Sequence, residues 1–374
     1  MGLSTVTAAR ILDGQQNGRT GEENRLSFET FPATALAKTY TVDLQVAEAA
    51  GAMSAIMTGV KTRGASVAVD AVPVRGQCAE TAGHETVTLL ERARDAGLAA
   101  GVVSTARITN AVPAATFAHV SDRDWEVDSR MPQAAIDQGC HDIARQLVEF
   151  DHHGGLNVVL GGGRLAFMTT AEADPQEPGL TGVRGDGVDM IARWRARNPL
   201  GVYVATAGRL KAAVAEKLDA PILGLFAPDD LTFSADRAAE APNEPSLTDM
   251  TRAAITILAR STKGYVLVVD EHNIDAAHHK GNAYRALTDT IELSHAVQAA
   301  ADMTRADDTL IVVTAAVANP DYAQRAATPM AAETHSGEDM PVYARGPGAQ
   351  WVRGVIEQNV LCSIMAAALW PDRR

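Results

Sequence analysis

Short apolar runs alternate with amphipathic stretches along most of the chain. The runs LAAGVVST, LNVVLGGGR, GVYVAT, ILGLFA, GYVLVVD and TLIVVTA are aliphatic and rich in β-branched residues. Runs of this kind predict strands buried on both faces, as in a parallel sheet covered by helices. Between them, apolar positions three and four apart predict helices near the N-terminus and over AEAAGAMSAIMTGVKTRG, HETVTLLERARDAG, QAAIDQGCHDIARQLVEF and SLTDMTRAAITILAR. The segment Ala35 to Val46, ALAKTYTVDLQV, predicts a pair of strands. Strand and helix in this alternation point to an α/β fold with a mostly parallel central sheet. There is no internal repeat and no long linker, so residues 1–374 read as a single domain. The polar, Pro- and Asp-rich stretch Ala171 to Asp189 reads as a surface loop. GGGR at Gly161 to Arg164 lacks the GxxxxGK[ST] and GxGxxG spacings of phosphate loops and reads as a strand-to-helix turn.

Composition narrows the function classes. The chain has 374 residues, 46% of them hydrophobic and 21% charged, the balance of a soluble globular protein. A formal charge of −13 argues against nucleic acid or an anionic membrane surface as partner, because phosphate backbones need a basic face. No apolar run approaches the roughly 20 residues of a membrane span. Met1 leads directly into a helix-like pattern, GLSTVTAARIL, with no signal peptide in this chain. The three cysteines, Cys78, Cys140 and Cys362, are too few for a disulfide scaffold and by composition read as buried thiols.

The candidate chemistry lies between Gly264 and Leu287. The apolar run Tyr265 to Val269 ends at Asp270, and DAAHHKG then begins a helix. On that helix Asp275 and His279 are four apart, so their side chains leave one face and can meet. A carboxylate and an imidazole converging beyond a buried strand make half of a zinc site. An ordinary solvated ion pair has the same spacing. His278 points about 100° away from His279 and reads as exposed. His335, in ETHSGED, is the candidate third ligand. His152 and His153 in DHHGG read as a loop pair, and Cys362 as a core thiol.

Taken together, STVTAARIL, TGVKT, STARITNAVPAATFAHVSDRDW, LGGGR, LGLFAPDD, PSLTDMTRAAITIL, IDAAHH, DDTLIVVTA and ETHSGEDMPVYARGPGA resemble the alkaline phosphatase family. They follow the family's order over nearly the whole chain. The resemblance implies a three-layer α/β/α sandwich, usually a homodimer, that hydrolyses phosphate monoesters through a phosphoserine with two zinc ions and a magnesium. It implies that Asp275, His279 and His335 are the ligands of one zinc and that Arg123, in SDRDW, clamps phosphate. Asp270 stands where the family has a glutamate ligand of magnesium. Cys78 and Cys140 stand where many members carry a disulfide, which fits a periplasmic or secreted protein.

Other positions depart from the family pattern. Counted back from TGVKT, the family's Asp-Ser pair falls on Glu48 and Ala49, so the nucleophilic hydroxyl is missing. Ser54 lies roughly a turn and a half further along the helix and is no substitute. Both second-zinc ligands fall on Ala316 and Val317, and the hydroxyl that completes the magnesium shell falls on Val112. The family's first strand, ending in Gly-Asp-Gly-Met-Gly, is matched only at Met1 and Gly2, so the fold is expected with its N-terminal strand missing. These departures leave one zinc site and no secured magnesium. The expected function is that of an alkaline phosphatase family protein, acting on a phosphate monoester or binding inorganic phosphate, with hydrolysis weak or absent. The alternative is a non-catalytic pseudophosphatase that binds one zinc and a phosphate-like anion.

Overall fold

The centre of the molecule is a parallel sheet of five strands, β2 (Ala99–Arg107), β3 (Val158–Gly162), β4 (Val202–Val204), β5 (Ile222–Leu225) and β6 (Tyr265–Asp270), in the order β4-β5-β3-β2-β6. The computed structural model describes residues 1–216, 220–319 and 335–370. Successive strand residues face opposite sides, and the side chains sort accordingly. Ala100, Val102, Val159, Leu223, Leu225, Val266 and Val268 pack into one core. Ala99, Val103, Val158, Leu160, Ile222, Leu267 and Val269 pack into a second core on the other side.

Helices α1 (Leu3–Gln16), α2 (Ala49–Thr58), α3 (Leu89–Asp95), α4 (Ala111–Ala114), α5 (Gln133–Asp137), α6 (Ile143–Glu149) and α7 (Met190–Arg197) precede or flank the first strands of the sheet. They are followed by α8 (Ala207–Ala215), α9 (Arg237–Glu240), α10 (Leu247–Leu258), α11 (Asn273–His279), α12 (Ala283–Met303) and α13 (Val360–Leu369). α2, α3, α6, α7 and α13 bury their apolar sides in the first core, while α8 and α10 line the second. The layers are therefore helix, sheet, helix, as expected. α10 starts where the sequence signals it: Ser246 Oγ accepts from Asp249 N–H and the Asp249 side chain accepts from Ser246 N–H, a capping box. Among the described residues, no helix is long and apolar enough to cross a membrane.

A second sheet, ordered β7-β8-β1-β9, joins β1 (Ala33–Lys38), β7 (Ile311–Val313), β8 (Met340–Arg345) and β9 (Gly354–Glu357). β8 runs antiparallel to β1 and β7, and β9 parallel to β1. Val312 of β7 and Val342 and Ala344 of β8 enter the same core as Val266 and Val268 of β6. The central layer is thus divided into two sheets that share a core. Among the described residues β6 pairs with β2 alone and β7 with β8 alone. Both faces of β6 are covered, yet all six of its residues are half-buried, whereas β2 is buried at every residue before Arg107. The opening therefore lies along the unpaired edge of β6.

Two predicted elements differ from the structure. Only Ala33–Lys38 of the expected strand pair is a strand. Beyond it, Thr41 Oγ1 bonds Asp43 and accepts from Leu44 N–H, a local alternative to a ladder, and Tyr40, Val42, Leu44 and Val46 are exposed. The helix expected over QAAIDQGCHDIARQLVEF is two, α5 and α6. Gly139 takes a left-handed φ of 85° between them, and Asp142 accepts from Arg145 N–H to cap the second. In the same break Cys140 forms a disulfide with Cys78 across a separation of 62 residues. Cys362 is buried and unpaired, as expected of a core thiol.

The GGGR segment is the predicted turn. A Cβ on Gly162 would stand 2.1 Å from the Asp229 carbonyl oxygen, and Gly163 has a φ of 85°. Arg164 turns inward, fully buried, to pair with Asp174 at 2.7 Å and 2.8 Å. The Ala171 to Asp189 loop is mostly exposed and is anchored by that pair.

Candidate metal centre

Strand β6 delivers the chain to Asp270, and α11 begins three residues later. Asp275 and His279 leave one face of α11, with His279 Nε2 3.5 Å from Asp275 Oδ2. His335, just beyond the end of a far segment, places Nε2 3.3 Å from Asp275 Oδ1. The two imidazole centroids are 5.2 Å apart, and a donor atom from each of the three residues lies within 4.8 Å of the others. Tetrahedral ligands about 2.0–2.1 Å from a zinc ion stand about 3.3 Å from one another, so the contacts to Asp275 already have the spacing of a coordination shell. His335 Nε2 is buried, and among the described residues its polar neighbour is Asp275. Burial works to raise the Asp275 carboxyl, but bonding and charge from His279 and His335 outweigh it and hold it well below the usual carboxylate range. A carboxylate held ionised between two imidazoles is a fitting donor set for a divalent cation.

His278 corrects one expectation. It is 2% exposed rather than solvated, because α1 lies over that side of α11 and Thr5 Oγ1 is 3.1 Å from His278 Nε2.

Asp270 is not among the side chains that meet at Asp275. It faces back to the sheet, where Ser104 Oγ donates to its Oδ2 at 2.7 Å, and burial raises its carboxyl. Arg123 lies at the N-terminus of α2, with Nη1 donating to Glu48 Oε2 at 2.8 Å. The Glu48 carboxylate also accepts from the backbone N–H groups of Ala50, Gly51 and Ala65. One glutamate therefore caps α2 and takes up an arginine charge at the place where an oxyanion would be welcome. The two regions share a wall: Val317 packs on Ala47 and Ala52 of the α2 entrance, and Asn319, two residues on, bonds Asp275.

The match to the alkaline phosphatase family model covers residues 1–319 and 316–370. The chain belongs to the alkaline phosphatase family. It is 38% identical over 438 residues to the tissue-nonspecific alkaline phosphatase of Gallus gallus, covering 100% of this chain and 83% of that protein. It is 37% identical over 430 residues to an alkaline phosphatase of Gadus morhua, covering 98% of this chain and 89% of that one. In fold it resembles the alkaline phosphatase of Thermus thermophilus, with a TM-score of 0.74 at 20% identity over 98% of this chain and 89% of the other. The enzyme of the Antarctic bacterium TAB5 gives 0.70 at 20% identity, with 99% and 94% covered.

Within this alkaline phosphatase scaffold Ala49, Val112, Ala316 and Val317 all sit in apolar surroundings. Ala49 opens α2 and is buried in the main core. Ala316 and Val317 pack with Ala47 and Ala52 in a small apolar cluster. Val112 packs against the main core. Ser54 is fully buried, donating to Ala50 O at 2.7 Å and accepting from Ala68 N–H at 2.8 Å. A second acidic group, Asp128, Asp142 and Asp186, has the spacing of a cation site. The Arg184 guanidinium fills it, 2.9 Å from Asp142 and 2.7 Å from Asp186, so it is an internal ion cluster.

Proposed function

We propose that this family member keeps one zinc pocket, made by Asp275, His279 and His335, and binds a phosphate monoester or inorganic phosphate with little or no hydrolysis. The observation that carries the reading is the meeting of those three side chains from α11 and the segment before β8. When bound there, zinc would supply Lewis-acid charge to a phosphate oxygen. Arg123 would hold the anion's other oxygens, in competition with Glu48. Asp270 is proposed as the remnant of the magnesium shell, its bond to Ser104 taking the place of a cation. The whole chain would act as one domain, as a homodimer in a periplasmic or secreted setting. The Cys78–Cys140 disulfide supports an oxidising compartment.

Weak or absent hydrolysis follows from what occupies the other half of the site. Ala49 offers no oxygen to attack phosphorus, and Ala316 and Val317 offer nothing to a second cation. In a serine hydrolase, losing the nucleophile costs on the order of 10⁶ in turnover. Hydrolysis of p-nitrophenyl phosphate with added zinc and magnesium is the test. Turnover at background, or a trace unaffected by Ser54→Ala, is expected. A rate within about tenfold of an ordinary family member would overturn the reading and make the chain a working phosphomonoesterase.

A further inference from the structure

We propose that Asn319 is a positioning residue for the zinc pocket, setting the plane in which Asp275 presents its carboxylate. Asn319 is fully buried, and its Nδ2 donates to Asp275 Oδ1 at 2.7 Å. The carboxylate is otherwise approached by His335 at Oδ1 and His279 at Oδ2. An aspartate χ2 torsion is broad and close to two-fold, so two imidazoles alone leave the oxygens free to turn. A fixed amide donor removes that freedom. It does so without adding charge, so among the described residues Asp275 remains the one carboxylate of the three-residue group. A divalent ion on one carboxylate and two neutral imidazoles keeps a net positive charge, which suits an anionic ligand.

Asn319 can act as a fixed donor because its own backbone is held. Ser336 N–H donates to Ala318 O at 2.8 Å, forming an isolated antiparallel bridge between the segment carrying Asn319 and the one carrying His335. Gln358, 1% exposed, donates from Nε2 to Ala316 O at 2.9 Å. The end of β7, the His335 segment and α11 thus meet at one amide. A second observation agrees: among the described residues Asn319 Oδ1 is buried without a partner, an arrangement that costs stability unless something is gained at the other end of the amide.

The inference rests on the zinc reading above, and the experiment separates the two. Zinc affinity is measured by competition with a chromophoric chelator for the wild-type chain and for Asn319→Leu, which keeps the volume and removes the amide. Asn319→Ala and His335→Ala are measured alongside, with metal-free melting curves establishing that each variant is folded. Cobalt is substituted in parallel, its visible absorption reporting the ligand field directly. Both Asn319 variants are expected to lose roughly 10- to 100-fold in affinity, the usual effect of removing a partner of a metal ligand, and to shift the cobalt bands. Loss in Asn319→Ala with wild-type affinity and spectrum in Asn319→Leu would reduce the residue to a filler of space and overturn the inference. A wild-type chain that takes up no zinc, or His335→Ala binding as tightly as wild type, would overturn the reading beneath it.

Discussion

Glu48 shows how one side chain can decide what a site is available for. It caps α2 with its own carboxylate, reaches Ala65 N–H across a loop, and engages Arg123. These are the donors an incoming oxyanion would use. Glu48→Ala is therefore expected to raise affinity for phosphate by tenfold or more, by an order-of-magnitude argument from one charged contact, although the helix loses its cap. The measurement is the rise in melting temperature with added phosphate. The rise is predicted to be larger in the variant and abolished by adding Arg123→Ala; an equal rise in wild type would show that Glu48 does not compete. Asp275 and His279 were legible in the sequence because four residues is one helical step. Glu48 and Arg123 were not legible as a pair, since nothing local links positions 75 apart. Asn319 carried no signal either: its role exists only once the end of β7 and α11 meet. His278 misled for a related reason, since an isolated helix gives no sign that α1 will cover its far side.

The elements were legible to the extent that their patterns were self-consistent. The strands β2, β3, β5 and β6 follow the apolar runs closely, because a strand buried on both faces has no other way to be written. The predicted strand after Lys38 failed because side-chain bonds from Thr41 satisfied the backbone locally. The predicted long helix split at Gly139, where the disulfide needs Cys140 turned toward Cys78. A crosslink over 62 residues lowers chain entropy in the unfolded state enough to contribute about 4 kcal/mol. Cys78→Ser is expected to lose stability on that scale in a denaturant titration, and wild type under strong reductant should match it. The join between α3 and the 119–152 region is a second element-scale device. His119 Nε2 is 2.9 Å from Glu91 Oε1, and His152 Nε2 is 3.2 Å from the same oxygen. Burial opposes both charges, yet the pairing raises the His119 imidazole and lowers the Glu91 carboxyl. The raised histidine contributes fully below its ordinary 6.5 and loses that contribution as pH climbs through its elevated value. The depressed glutamate contributes above its ordinary 4.5 and loses it as pH falls through its lowered value. The pair is thus fully engaged between roughly 4.5 and 6.5. Equilibrium unfolding at a series of pH values should show stability falling above that window in wild type, with a smaller fall in His119→Gln.

At the scale of the whole molecule, two sheets on a shared core stand beside two groups of side chains of opposite character. One group, at the carboxyl end of β6, gathers a carboxylate and two imidazoles from α11 and from the segment before β8. The other, around the entrance of α2 and the end of β7, is the apolar cluster of Ala47, Ala52, Ala316 and Val317. That contrast is local in space, and the order of the motifs shows it only after family positions are matched to this chain. The measurement that tests the account most directly is the zinc content of the purified protein after equilibration with excess zinc and removal of the free ion. The account predicts one zinc per chain, falling to none with His335→Ala. Two zinc ions per chain, or one that survives His335→Ala, would contradict it.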